Sequence, residues 1–268
     1  MSDKKEFCVV GNTFTHLTGG NFGYSVHGKI SRNIRWTDQP RDVTFYVDNA
    51  MVNAFDDSIE RIRYGWLLES RHVTTGLVES IAKDYNQYFE VFENIFTHDQ
   101  ELLQLDDRFK WVPAQGFWIK EPRVYDKSKL VSMISSNKNM FSGHIERLVW
   151  VEMLKDKVDL YGRGFREIQD KEEGLCDYMF SVAIENGSYR TYFTEKLLDC
   201  FATGTIPIYL GAPDVADYFI ADGIIDINDF DSISEDMYRS KIDAVTENLE
   251  RAKKMEVLED FIYENYLS

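Results

Sequence analysis

Between Phe180 and Pro213 the chain sets a carboxylate, an amide and a lysine where they can act on an anionic ligand. An apolar run, Phe180-Ser-Val-Ala-Ile, ends in Glu185-Asn186. A polar, aromatic loop through Tyr189, Arg190 and Tyr192 then leads to Thr194-Glu195-Lys196-Leu-Leu-Asp199. A second apolar run, Ile206-Pro-Ile-Tyr-Leu, ends in Gly211-Ala212-Pro213. Read as strand, loop, helix and strand, this order puts Glu185 and Asn186 beyond the carboxyl end of a strand, where open α/β sheets bind ligands. Thr194 suits a helix N-cap and Glu195 the first turn. Lys196 opposes the helix dipole, which costs up to about 1 kcal/mol unless an anion lies near, and helix N-termini attract phosphate. Taken alone, Thr-Glu-Lys is an ordinary solvated helix start. The strand, carboxylate and loop around it favour a ligand.

The elements that must position these groups alternate along the chain. Apolar runs at Phe7–Val10, Val43–Val47, Tyr64–Leu68 and Asn94–Thr97 read as buried parallel strands, with a helix over Val73–Lys83. A stretch with Pro113, Gly116 and Pro122 precedes the charged segment that begins at Tyr125. Further on, strands are expected at Leu130–Ile134, Val158–Tyr161, Tyr178–Ile184, Ile206–Leu210 and Gly223–Ile227. Helices are expected at Gly143–Leu154 and Thr194–Ala202, stopped at Gly204, and from about Ser234 to about Tyr263. This pattern predicts two α/β halves with parallel sheets and a cleft between them, divided as residues 1–124 and 125–268.

Composition narrows the function classes. With 44% hydrophobic and 28% charged residues, the chain is an ordinary folded protein. A net charge of −16 repels nucleic acid and anionic lipid, so an anionic ligand needs a local cationic pocket. No apolar run reaches membrane-spanning length, and the first residues are too short for a secretory signal, so a cytoplasmic location is expected. Cys8, Cys176 and Cys200 are scattered, which suggests neither a disulfide framework nor a zinc site.

The string Glu-Asn…Tyr-x-Thr-Glu-Lys-Leu…Gly-x-Ile-Pro-Ile-Tyr-x-Gly resembles the donor-binding motif of the α1,3-fucosyltransferases, glycosyltransferase family 10. Asp217-Tyr-Phe219 and Ile225–Phe230 extend the resemblance. Looser similarity lies upstream, in Ser135-Ser136-Asn137-Lys138, Arg147 and Val158-Asp-Leu-Tyr-Gly162. The resemblance implies a GT-B fold, two Rossmann-like domains facing across a cleft, the first for the acceptor and the second for the donor. It implies an inverting, metal-independent transfer from GDP-fucose or a close relative to a glycan or other hydroxyl, with no cofactor beyond the nucleotide-sugar. Asn186 and Tyr192 would shape the donor pocket beside Glu185 and Thr194, with Glu195 on the ribose and Lys196 on the diphosphate. Arg147 would meet the diphosphate, with Lys138 as a second candidate. A donor such as GDP-mannose or a UDP-sugar, or a non-catalytic sugar-nucleotide-binding module, stays open as an alternative.

Inverting transfer also needs a carboxylate to take the acceptor's proton. The family supplies it from the first half, where Glu69, in Trp66-Leu-Leu-Glu69-Ser70-Arg71-His72, ends a predicted strand. Asp48 and Asp99 are the runners-up, and a helix-capping role for Glu69 is the bland reading. Asp229-Phe230-Asp231 has a metal-binding spacing but coincides with the family's last strand end. Gly23-x-x-x-x-Gly28-Lys29-Ile30 nearly spells a P-loop, yet Ile30 replaces the magnesium-holding hydroxyl. Gly19-Gly20-Asn21-Phe22-Gly23 reads as a surface loop or a substrate contact. The paired glutamates of retaining enzymes are missing, because Phe193 stands eight positions beyond Glu185. His16, His27, His72, His98 and His144 show no ligand spacing.

Overall fold

The computed structural model describes residues 4–11, 16–18, 21–23, 29–71, 74, 76–140 and 142–268. Gly19, Gly20, His27, Gly28, His72 and Val73, which carry parts of several expectations above, lie outside them. The chain forms two compact units, Met1–Gln115 with Val257–Ser268, and Gly116–Glu256. The sequence division at 124/125 therefore differs from the structural one at both of its edges.

The first unit holds one sheet. Its strands are β1 (Lys5–Val10), β2 (His16–Thr18), β3 (Asn21–Gly23), β4 (Ile34–Thr37), β5 (Val43–Val47), β6 (Ile62–Trp66), β7 (Asn94–Thr97) and β8 (Phe109–Trp111). Their order is β2-β3-β4-β1-β5-β6-β7-β8. From β4 through β8 the pairs are parallel, whereas β2 and β3 form an antiparallel edge that the apolar pattern did not predict. The run Tyr64–Leu68 is strand only to Trp66, because Leu68 and Glu69 turn their amides to the Asp48 carboxylate.

Aromatic rings pack closely across this sheet. Phe45 is fully buried and lies 5.0 Å from the rings of both Trp36 and Tyr64 and 5.8 Å from Phe7 and Phe96. Met51, Ile81, Phe92 and Ile95 belong to a second buried cluster of the unit.

The second unit carries β9 (Lys129–Ile134), β10 (Asp159–Tyr161), β11 (Tyr178–Ile184), β12 (Ile206–Leu210) and β13 (Ile225–Asp226), all parallel, in the order β10-β9-β11-β12-β13. Every residue of β11 is buried, as a central parallel strand requires. Phe180, Val182 and Ile184 enter the core with Val131, Ile208 and Val245. Alternate positions hold the small Ser181 and Ala183, which leave room beside the sheet. Among the described residues no helix is long and apolar enough to cross a membrane.

The expected final helix is three pieces, Glu235–Ser240, Ile242–Lys253 and Leu258–Ile262. Val257 is extended, and beyond it Leu258 and Ile262 join the core of the first unit with Phe7, Trp36 and Phe45. Asp260, 5% exposed, fastens this segment. Its carboxylate accepts from Ser31 Oγ at 2.6 Å, from Arg32 N at 2.9 Å and from Asn33 N at 3.2 Å. Replacing Asp260 with Ala strands these buried donors, and we expect a loss of about 2–3 kcal/mol from the first unit. Denaturant titration followed by the fluorescence of Trp36 and Trp66 will read it, and an unchanged midpoint would refute the anchoring role.

Candidate active site

The end of β11 is closed by a carboxylate. Glu185 N donates to Leu210 O of β12 at 2.9 Å, and the side chain turns toward the next helix, Glu195–Thr203. Glu185 Oε1 accepts from Thr194 N at 2.8 Å and Oε2 from Thr194 Oγ1 at 2.6 Å. Thr194 is the N-cap, its hydroxyl also accepting from Lys196 N at 3.3 Å. The sequence reading put a phosphate at these amides, but Glu185 and Thr194 already satisfy them. The helix start therefore presents side chains to a ligand, and Glu185 is itself an anion that offsets the dipole penalty of Lys196. Gly211 makes this possible, since a Cβ there would fall 2.6 Å from Glu185 Cγ.

Beyond this closure lies a cavity of about 350 Å³, within the second unit. Lys138, Arg147, Asn186, Glu195 and Lys196 line it. The helix Ser142–Leu154 delivers Arg147, 6% exposed, whose Nη1 donates to Asn186 Oδ1 at 2.8 Å and Nη2 to Ser136 Oγ at 3.4 Å. Lys138 stands exposed at the rim. Gly162, at φ 108°, lets the ends of β9 and β10 meet, because a Cβ there would lie 2.0 Å from Ser135 O. Thr194 and Glu185 stand behind the lining, and Tyr192 is buried against Tyr189 with ring centroids 6.2 Å apart. Asp214 accepts Thr191 N through both oxygens, at 2.9 and 3.0 Å, and so holds that residue in the left-handed conformation at φ 65°.

The carboxylates of Glu185, Glu195 and Asp199 crowd around two ammonium groups at this wall. Lys196 Nζ lies 3.4 Å from Glu185 Oε2 and 3.5 Å from Glu195 Oε1. Lys171 Nζ lies 2.6 Å from Asp199 Oδ2 and 3.5 Å from Glu195 Oε1. Burial alone raises the Glu195 pKa, but Lys196 and then Lys171 outweigh it and hold the carboxyl at about 2. Burial wins at Glu185, whose pKa is raised. Burial also lowers the pKa of His144, and Arg147, Lys138 and Lys196 lower it further. The Arg147 pKa is lowered by burial. On the cavity wall, Arg147 Nε and Glu195 Oε2 are buried and make no hydrogen bond to the described residues. One donor and one acceptor thus await a ligand that offers both.

Sequence reasoning missed Lys171, Trp118, Asp199 and Arg163, which also line the cavity. Asp199 had a faint signal, a carboxylate one helical turn beyond Glu195; Lys171 had none.

The base candidates belong to the first unit. Asp48, 4% exposed, accepts Leu68 N at 2.8 Å and Glu69 N at 3.1 Å. Asp99 caps the helix Gln100–Leu103 and pairs with Arg71 Nε at 2.5 Å. Both carboxylates are occupied in building the strand ends. Glu69 is half-buried, its backbone fixed by Asp48 and by hydrogen bonds with the buried His98 ring. Arg71, two positions beyond Glu69, pairs with Asp99 and Glu101. Asp229 and Asp231 are exposed, and Asp231 pairs with Lys157 at 2.7 Å.

Because the folded pKa of Glu195 is depressed from 4.5 to about 2, its contribution to stability is full above 4.5 and drains as pH falls from there toward 2. We expect Glu195→Gln to flatten stability against pH across that interval, as read by thermal unfolding. An unaltered profile would show that Glu195 is not held ionised.

Part of the chain is similar to known proteins. Residues 124–251 match glycosyltransferase family 10 (fucosyltransferase), C-terminal region. The chain is 37% identical over 68 residues to alpha-(1,3)-fucosyltransferase FucT of Helicobacter pylori, covering 25% of this chain and 14% of that protein. It is 33% identical over 139 residues to 4-galactosyl-N-acetylglucosaminide 3-alpha-L-fucosyltransferase 9 of Mus musculus, covering 50% of this chain and 37% of that protein. It therefore spans well under half of these relatives' length. Among solved structures, an α1,3-fucosyltransferase superposes with a TM-score of 0.50 at 18% identity, covering 83% of this chain and 73% of the other. An α1,3-fucosyltransferase with GDP gives 0.50 at 17%, covering 94% and 80%. These likenesses show the fold, GT-B. With the motif and the two parallel-sheet units in agreement, residues 124–251 are identified by similarity with the C-terminal region of glycosyltransferase family 10 fucosyltransferases.

Proposed function

We propose that this protein is an inverting glycosyltransferase that moves fucose from GDP-fucose to a hydroxyl of a glycan acceptor, without a metal. The observation that carries the reading is the pair of unsatisfied buried atoms, Arg147 Nε and Glu195 Oε2, on the lining of one cavity beside Lys196. A nucleoside diphosphate offers oxygens to the first and ribose hydroxyls to the second. The family match and the fold shared with an α1,3-fucosyltransferase with GDP support the same ligand class.

In this reading the acceptor oxygen attacks the anomeric carbon as the bond from that carbon to the β-phosphate oxygen breaks. The acceptor's proton passes to the carboxylate of Glu69, and GDP leaves with its added negative charge. Arg147, Lys196 and Lys138 stabilise that charge, which is greatest in the transition state and product, so their contribution lowers the barrier. Fixed cations in a partly buried site act more strongly than in water. They supply the role a divalent ion fills elsewhere, and the exposed, core-anchored Asp229-Phe230-Asp231 segment fits a structural task.

Titration calorimetry with GDP, UDP and ADP tests the donor. We expect GDP to bind best, and Arg147→Ala and Lys196→Ala each to weaken it by about 30-fold or more, the scale of a lost charge-assisted contact. Wild-type affinity in the Lys196 variant would overturn the assignment. Glu69→Gln is expected to keep GDP affinity within about twofold while cutting turnover by a factor of about 10² to 10⁴. Normal turnover in that variant would move the base elsewhere.

A further inference from the structure

Lys171 lies outside every motif discussed above, yet it touches three members of the cavity wall. It precedes the short helix Glu172–Leu175. Its ammonium sits 4.2 Å from the centre of the Trp118 ring, 2.6 Å from Asp199 Oδ2 and 3.5 Å from Glu195 Oε1. Asp199 Oδ1 in turn accepts Trp118 N at 2.6 Å. The side chains of Lys171, Glu195 and Asp199 are 18%, 11% and 2% exposed, so these charges meet with little water between them.

We propose that Lys171 is a positioning residue for the donor, fixing Glu195 Oε1 together with Lys196, so that Oε2 is presented to the ribose hydroxyls. This inference rests on the donor-site reading above. Both ammonium groups lie 3.5 Å from the same oxygen. A carboxylate held at one oxygen by two cations has little freedom to rotate, and its second oxygen is the one left without a partner. Lys171 also neutralises Asp199, which otherwise confronts Glu195 as a buried like charge across the first turn of the same helix. The Trp118 face adds a cation–π contact that stops the lysine from swinging toward solvent. With Lys171 gone, Glu195 is held by Lys196 alone and repelled by Asp199, and its free oxygen loses its aim. A misplaced first-contact group is costly even when it is present.

The test compares GDP with 2′,3′-dideoxy-GDP, which lacks the hydroxyls Glu195 would bind. Calorimetry is run on the full chain for the wild type, Lys171→Met, Lys171→Arg and Lys171→Met/Glu195→Gln. We expect the wild type to prefer GDP by about tenfold to a hundredfold, Lys171→Met to lose most of that preference, and Lys171→Arg to keep part of it. Adding Glu195→Gln to Lys171→Met should then cost nothing more, the signature of one residue acting through the other. A Lys171→Met protein that still prefers GDP as the wild type does would overturn the proposal. So would a wild type that binds both nucleotides equally, although the donor reading would survive that result. Failure of the wild type to bind GDP would instead remove the donor reading itself. If circular dichroism shows Lys171→Met unfolded, the preference of Lys171→Arg is read in its place. Should both variants be unfolded, Lys171 is a folding residue and the proposal falls.

Discussion

The hydrogen bonds between the Glu185 carboxylate and Thr194 fix the helix that carries Glu195, Lys196 and Asp199 to the cavity. One buried acid takes both the amide and the hydroxyl of the residue that caps the helix Glu195–Thr203. The helix is thereby pinned to the strand end, and the side chains of its first turn, Glu195 and Lys196, emerge at a fixed angle over the small residues Ser181 and Ala183. An isolated buried carboxylate is expensive, and three features make this one tenable. Two strong donors satisfy it, Lys196 approaches Oε2, and Gly211 removes the side chain that would collide with it.

The same acid creates an electrostatic problem that the neighbouring residues answer. Glu185, Glu195 and Asp199 crowd one end of a helix whose dipole favours them, but they also repel one another. Lys196 and Lys171 interleave with the acids, each ammonium touching two carboxylates. The result is a nearly balanced lattice of charge with Arg147 and Lys138 added on the remaining side. A balanced lattice holds its shape without a ligand, while the added cations make this wall locally positive despite the acidity of the whole chain.

Much of this was legible in the residues. The strands Tyr178–Ile184 and Ile206–Leu210 were read to the residue, because central parallel strands are apolar on both faces and leave an unbroken run. The cap at Thr194 and the left-handed stop at Gly204 were equally plain, since each needs one residue type at one place. The strands β2 and β3 were not legible, because three residues each are too few to show a period. The last helix was misjudged because Glu- and Lys-rich periodicity continues through the break at Val257, and only the destination of Leu258 and Ile262 explains the break. Lys171 escaped because its meaning comes from Asp199, 28 residues away on another helix. A single sequence records residue types, and it does not record which distant charges will meet.

The return of Val257–Ser268 to the first unit gives the chain the topology of one module inserted into another. The first sheet lacks Leu258 and Ile262 until residues 116–256 have been made. During synthesis, then, the aromatic face around Phe7, Trp36 and Phe45 leaves the ribosome uncovered and waits for its last strip of cover, while the inserted module has all of its own core in hand and is free to fold first. Gly116 marks the doorway of that insertion. Its missing side chain admits the Glu256 carbonyl, since a Cβ there would lie only 2.2 Å from it, so the outgoing and returning strands of chain pass shoulder to shoulder. Any bulk at position 116 would press against that carbonyl and part the two segments.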